Sequence, residues 1–160
     1  MEEWHDLFVA SAGAAAALMG LLFVGLSINL SKILTFPVLV NRALLAAMLL
    51  LSILIQTLLL LVPRETPHIA GLCTLVIFAI SWPGLTYIDL QIFKKTDKNY
   101  KILHLLKMLF DQVAFLPYFI GGILMLNGSA SGYYWLVGAI IISFIKASLD
   151  AWVLLVEINR

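Results

Sequence analysis

Charge is scarce in this 160-residue chain: Asp, Glu, Lys and Arg make up 12% of it, hydrophobic residues 62%, and the mean hydropathy is +1.04. A water-soluble domain keeps roughly a quarter of its residues charged to hold its surface wet, so the solvent of this chain is mostly lipid. The formal net charge of +1 leaves no concentrated basic face for phosphates, which argues against nucleic acid as a partner. Cysteine is nearly absent. Cys73 stands alone inside an apolar stretch, so an internal disulfide and a paired-cysteine metal site are both excluded. Its plain reading is a small packing or lipid-facing residue.

Enzymatic signatures are missing as well. There is no HExxH, no GxSxG and no glycine loop of the kind that cradles phosphate. His5, His68 and His104 are too dispersed to share a metal ion. No segment carries arginine at every third position, which removes a voltage sensor from consideration. The expectation is a protein that is not an enzyme and that uses no cofactor and no metal.

What the chain does have is long apolar runs. Leu7 to Leu30 contains no charge and, at 1.5 Å per residue, exceeds a hydrocarbon core of roughly 30 Å. The residues before it, Glu2, Glu3 and Asp6, are acidic where a secretory signal is basic, so this run reads as a mature span. Ala43 to Val62, Ile69 to Phe93, Ile102 to Leu126 and Tyr133 to Ile158 follow, each bounded by charge or turn chemistry. The fold class expected is an all-α integral membrane protein, residues 1–160 forming a single transmembrane domain, a bundle of about five helices. The connections, Ser31 to Arg42, Pro63 to His68, Lys94 to Lys101 and Asn127 to Gly132, leave no room for a soluble domain.

Basic residues orient the bundle. With five spans, one side holds only Arg64, while the other holds Lys32, Arg42, Lys94, Lys95, Lys98, Lys101 and Arg160. Short loops rich in lysine and arginine stay in the cytoplasm, which puts the N-terminus outside and the C-terminus inside. Trp4, Tyr133, Tyr134 and Trp135 then fall near the external boundary, where amphipathic rings are favoured.

The first span carries small residues four apart, Ala12, Ala16 and Gly20. Helices in lipid associate by close backbone approach, and such a row permits it. One reading makes this the packing surface of a homo-oligomer; the other buries the row among the chain's own helices. Ser27, Asn29 and Ser31 either cap the end of this span or line a wet vestibule.

Ionisable residues within spans cost a few kcal/mol each near the bilayer centre unless they are paired or hydrated. Here they are Asp89, Lys107, Asp111, Lys146 and Asp150, three acids and two bases concentrated in the inner half. Lys107 with Asp111 and Lys146 with Asp150 are each four apart, on one helical face. Lysine preceding aspartate is the weaker order for local support, so pairing between helices is expected. Asp111 and Asp150 fall at nearly one depth, and Lys146 lies too deep to snorkel, so its ammonium should meet a carboxylate or water. Lys107 is shallow enough to snorkel, and His104 reads either as a relay group beside it or as a solvated helix end.

This network reads in two ways. It locks the last three spans together as ion pairs, or it forms a path for protons or small cations in which Asp111 and Asp150 accept charge and Lys146 competes for it. Pro83 and Pro117, near the middles of their spans, are expected to weaken or break those helices and free carbonyls one turn back.

The opening residues Trp4-His5-Asp6-Leu7-Phe8-Val9-Ala10, followed by the alanine and glycine run, resemble those of small multi-span proteins of the bacterial inner membrane. The resemblance implies that plasma membrane as the location and supplies no site residues. The functional expectation is an oligomeric channel or transporter. Its rival is a regulatory or structural bundle that presents helices to a lipid or to another membrane protein.

Overall fold

The first apolar run folds as the helix α1, Glu2–Ile28, and ends where polar side chains turn back on it. Ser27 Oγ donates to the Phe23 carbonyl at 2.8 Å and Asn29 Nδ2 to the Gly25 carbonyl at 3.2 Å. The Asn29 amide thus reaches one of the last four carbonyls of the helix, while the Ser27 hydroxyl bonds back one turn to a carbonyl of the ladder, so both turn onto their own helix rather than line a vestibule. The computed structural model describes residues 2–62, 67–95 and 101–158. Arg64, Lys98, Arg160 and the turn at Pro63 therefore lie outside the described residues.

The connection expected from Ser31 to Arg42 is mostly helical. A short helix, α2 (Leu30–Thr35), is followed by Phe36, whose φ of −122° and ψ of 102° are extended, and then by α3 (Pro37–Leu61). Proline disfavours helical geometry in the residue before it and is itself well suited to a first helical position, which explains why the break falls at Phe36. The helix therefore begins six residues ahead of the expected Ala43, and Arg42 becomes a helical residue facing its neighbours instead of a loop charge.

The remaining helices are α4 (Pro67–Lys95), α5 (Lys101–Leu126) and α6 (Gly132–Ile158). Among the described residues, five helices are long and apolar enough to cross a membrane, and the protein is an all-helical, multi-pass membrane protein. Both α4 and α5 run unbroken through Pro83 and Pro117, so the expected breaks are not breaks. Pro83 is exposed and Pro117 half-buried.

Helices α3, α4, α5 and α6 form a closed ring in which α3 packs beside α4, α4 beside α5, α5 beside α6, and α6 beside α3. Helix α1 stands outside this ring, along α3, with only light contact to α6. It buries Phe8, Ser11, Ala12, Ala15 and Leu22, the three-and-four spacing of a single packing stripe. Ala16 and Gly20 face outward, so Ala12 alone of the small-residue row packs within the chain.

The closest backbone approaches lie elsewhere. A Cβ added to Gly71 of α4 would come 2.5 Å from the Leu126 nitrogen and 2.8 Å from the Gly122 carbonyl of α5. One added to Gly132 of α6 would come 2.6 Å from the Gly121 carbonyl. In lipid, where apolar surface gains little by leaving its solvent, such approaches supply the dispersion contacts that hold helices together. The α5–α6 turn uses Gly128 at φ 79°, a left-handed conformation suited to glycine, and His68 Nδ1 donates to the Leu126 carbonyl at 2.6 Å, capping α5 from α4.

Polarity is distributed inside out. Leu21, Ile28, Ile80 and Ile102 are more than half exposed, as lipid-facing side chains are. Among the described residues every buried polar or charged side chain except Ser11 belongs to the four-helix ring.

A charged chamber in the four-helix core

Each helix of the ring sends at least one ionisable side chain to the same level. Arg42 comes from α3, Asp89 from α4, His104, Lys107 and Asp111 from α5, and Lys146 and Asp150 from α6. The antiparallel order of the ring makes this convergence possible. The N-terminal ends of α3 and α5 and the C-terminal ends of α4 and α6 lie together at one end of the bundle, the end that also carries Lys32, Lys94 and Lys101. At 1.5 Å per residue, Asp111 is about 15 Å from the start of α5 and Asp150 about 12 Å from the end of α6.

Lys146, only 4% exposed, sits at the centre. Its Nζ lies 2.8 Å from Asp111 Oδ1 on α5 and also contacts Asp150 Oδ2 on its own helix. The expected pairing between helices is thus present, and one ammonium serves two carboxylates. Beside this ion pair the carboxyl groups of Asp89 and Asp111 lie close enough to share a hydrogen bond, so the two acids and the ammonium form one cluster.

His104 is buried at 7% exposure, not a solvated helix end. Its Nε2 is 3.3 Å from the backbone carbonyl of Asp89, and a carbonyl accepts only from a protonated ring nitrogen, which fixes Nε2–H as the donor. Phe93 stacks over the imidazole at 6.1 Å between centroids, and the Lys101 ammonium lies 5.5 Å from the centre of the Phe93 ring. This stack flanks the chamber at His104.

Arg42 alters the charge count. Sequence reasoning assigns it to a loop and leaves three acids against two bases, but the chamber is lined by Asp89, Asp111 and Asp150 together with Arg42, Lys107 and Lys146. Fully ionised, and with His104 neutral, it has no net charge. Lys107 is half-buried and lines the chamber rather than lying free at the surface. About 30 Å³ of the interior is open to the centres of water molecules, room for about two waters. Among the described residues no group of His, Cys, Asp and Glu has the arrangement of a metal site.

A second polar layer, uncharged, lies beyond the chamber and escaped the reading of the sequence. Gln56 donates from Nε2 to Thr74 Oγ1 at 2.7 Å, Ser52 and Ser81 hydroxyls are 3.1 Å apart, and Tyr118 shares a hydrogen bond with Ser143. The available signal was the presence of such side chains within apolar runs, but serine and threonine also bond back to their own helix, as Thr74 does to Ala70, so composition alone does not single them out. Neither proline lines the charged chamber. At their level Trp82 Nε1 donates to Gln112 Oε1 at 2.6 Å and Gln112 Nε2 to Thr86 Oγ1 at 3.3 Å, a polar clasp between α4 and α5.

Comparison with known proteins finds no family model that matches the chain, no matching curated protein and no matching solved structure.

Proposed function

We propose that this protein carries protons across its membrane through the four-helix ring, with the Asp89, Asp111, Lys146 and Asp150 cluster as the site that takes up and releases them. The observation that carries this reading is the chamber. Seven ionisable side chains from all four ring helices converge on a space for about two waters, and the Asp89 and Asp111 carboxyl groups there lie close enough to share a proton. Buried charges are expensive in a membrane, and ionisable residues kept there line ion paths and proton relays.

The dimensions favour a proton over a metal cation. A cation sheds its hydration shell only where several oxygens replace it, and the chamber answers each carboxylate with a base instead. The small size of the chamber favours alternating access over an open pore. The membrane is the bacterial inner membrane, with the N-terminus outside and the basic end cytoplasmic, in keeping with the lysine and arginine bias and the opening-segment resemblance. Assembly as a homo-oligomer through the outward row of α1 is part of the same reading.

The direct test is proton flux into liposomes containing the purified protein under an imposed potential. Flux above empty vesicles, abolished by Asp111→Asn, is the expected result; no flux from the wild type rejects the reading.

One observation favours a second reading. Helix α1 stands outside the ring with Gly13, Ala16, Ala17 and Gly20 exposed, and no atom lies within 4 Å of a Cβ built on Gly13 or Gly20. Such a face accepts a foreign helix closely, so the protein would act by engaging another membrane protein. A stoichiometric partner recovered from native membrane, together with absent flux, selects this alternative.

A further inference from the structure

The uncharged layer contains one atom that its neighbours do not explain. Gln56 is 2% exposed, and its amide spends an N–H on Thr74 Oγ1, yet Gln56 Oε1 is buried with no donor. An unsatisfied buried amide oxygen costs about 1–3 kcal/mol, so a donor is to be looked for beside it. The neighbouring hydroxyls are committed. Thr74 Oγ1 donates to the Ala70 carbonyl at 2.9 Å, Ser52 Oγ lies 2.8 Å from the Met48 carbonyl and 3.1 Å from the Ser81 Oγ that accepts from it, and none of these hydroxyls hydrogen-bonds Gln56 Oε1. Beside Gln56 lies a small cavity lined by Ser52, Thr74, Ser81, Phe115 and Tyr118, with about 10 Å³ open to the centres of water molecules. That is the space of a single water, and the walls supply the several polar partners that a buried water requires.

We propose that this cavity binds one water molecule, which donates to Gln56 Oε1, and that the water continues the proton route from the charged chamber into the outer half of the ring. The first part rests on the cavity and the orphaned oxygen alone, whereas the second rests on the proton-carrying function proposed above. Tyr118 and Ser143 are the groups that would link the two sites. Tyr118 lines the water cavity and is hydrogen-bonded to Ser143 of α6. Ser143 is three residues from Lys146 and hence on the same helical face.

In such a chain each hydroxyl accepts a proton on a lone pair as it passes its own proton to the next oxygen, so every group ends with the protons it began with and only the direction of its O–H bond is changed. Gln56 holds the water in place and carries no proton itself. Beyond this layer the outer end of the ring is filled by Leu60, Met125 and Tyr133, all buried, so exit from the water site requires these side chains to part.

The test has two arms, both on the full chain in proteoliposomes. In the first, magnetisation is transferred from water to ¹⁵N-labelled glutamine side chains by solid-state NMR. Rapid transfer to the Gln56 amide, comparable with that of an exposed side chain, is expected; transfer as slow as for the dry core overturns the water site whatever the flux. In the second arm, Gln56→Leu and Tyr118→Phe each lower proton flux about tenfold or more, the scale of one lost hydrogen bond in the path. Gln56→Glu, which keeps the acceptor, retains flux, and the unfolding midpoints show that the variants fold. If the wild type passes protons and Gln56→Leu passes them equally well, the route does not run through this layer, although the charged chamber keeps its function. If the wild type passes none, the proton-carrying function and the route fall together, while the NMR arm alone still decides the water.

Discussion

Lys146 of α6 and Asp111 of α5 form an ion pair across the helix interface at 2.8 Å, and both side chains are at least nine-tenths buried. Because Asp150 contacts the same ammonium from one turn along α6, Lys146 is the hinge on which the charge balance of the ring depends. Loss of either Asp111 or Lys146 leaves an uncompensated charge in a medium that solvates it poorly.

Removing one partner therefore has a large cost. Lys146→Met should destabilise the protein by about 3–5 kcal/mol, as should Asp111→Asn to a smaller degree because Asp89 and Asp150 remain to face Lys146. The double variant should recover much of the loss, since it removes both charges. Unfolding in mild detergent for the wild type, the two single variants and the double variant measures this coupling. Additive losses would mean that the pair contributes nothing specific.

Arg42 lines the chamber at its basic end, near His104, and makes the number of bases in the lining equal to the number of acids. Arg42→Gln should leave one excess negative charge there and attract a monovalent cation, detectable as sodium- or potassium-dependent stabilisation that the wild type does not show. The loss of stability should be smaller than for Lys146→Met, because Arg42 is half-buried and closer to water. Equal salt response in the two proteins would show that the Arg42 charge plays no part in the balance.

Helix contacts give a contrast between two glycines. Gly71→Ala forces a methyl group against the α5 backbone, which cannot rotate away, and should cost about 1–3 kcal/mol. Gly20→Ala meets nothing within 4 Å and should leave the protomer unchanged. Leucine at Ala16 and Gly20 together should dissociate an oligomer in native-like nanodiscs without lowering the protomer's unfolding midpoint. A particle that is already monomeric before substitution rejects the oligomer.

Reporter fusions test the orientation. An external reporter should be active at the N-terminus and a cytoplasmic one at the C-terminus, as the basic bias demands. Both termini in one compartment would contradict an odd number of spans.

Hydropathy and charge determined much of this protein without tertiary information. The five spans are legible because a backbone in lipid must satisfy its hydrogen bonds within each segment, which makes helix location a property of the local sequence. The shared face of Lys146 and Asp150 follows from helical periodicity, and the depth match with Asp111 from the rise per residue. What only the tertiary structure decided is lateral. Packing in lipid has no hydrophobic drive to leave a pattern, so the sequence does not reveal that α1 stands outside the ring, that Gly71 and Gly132 rather than Ala16 and Gly20 make the closest internal approaches, or that Gln56 faces a cavity. Arg42 is the sharpest case. Its charge places it at the basic end, but only the early start of α3 at Pro37 and the closure of the ring bring it to the chamber wall, where the lining comprises three acids and three bases besides His104.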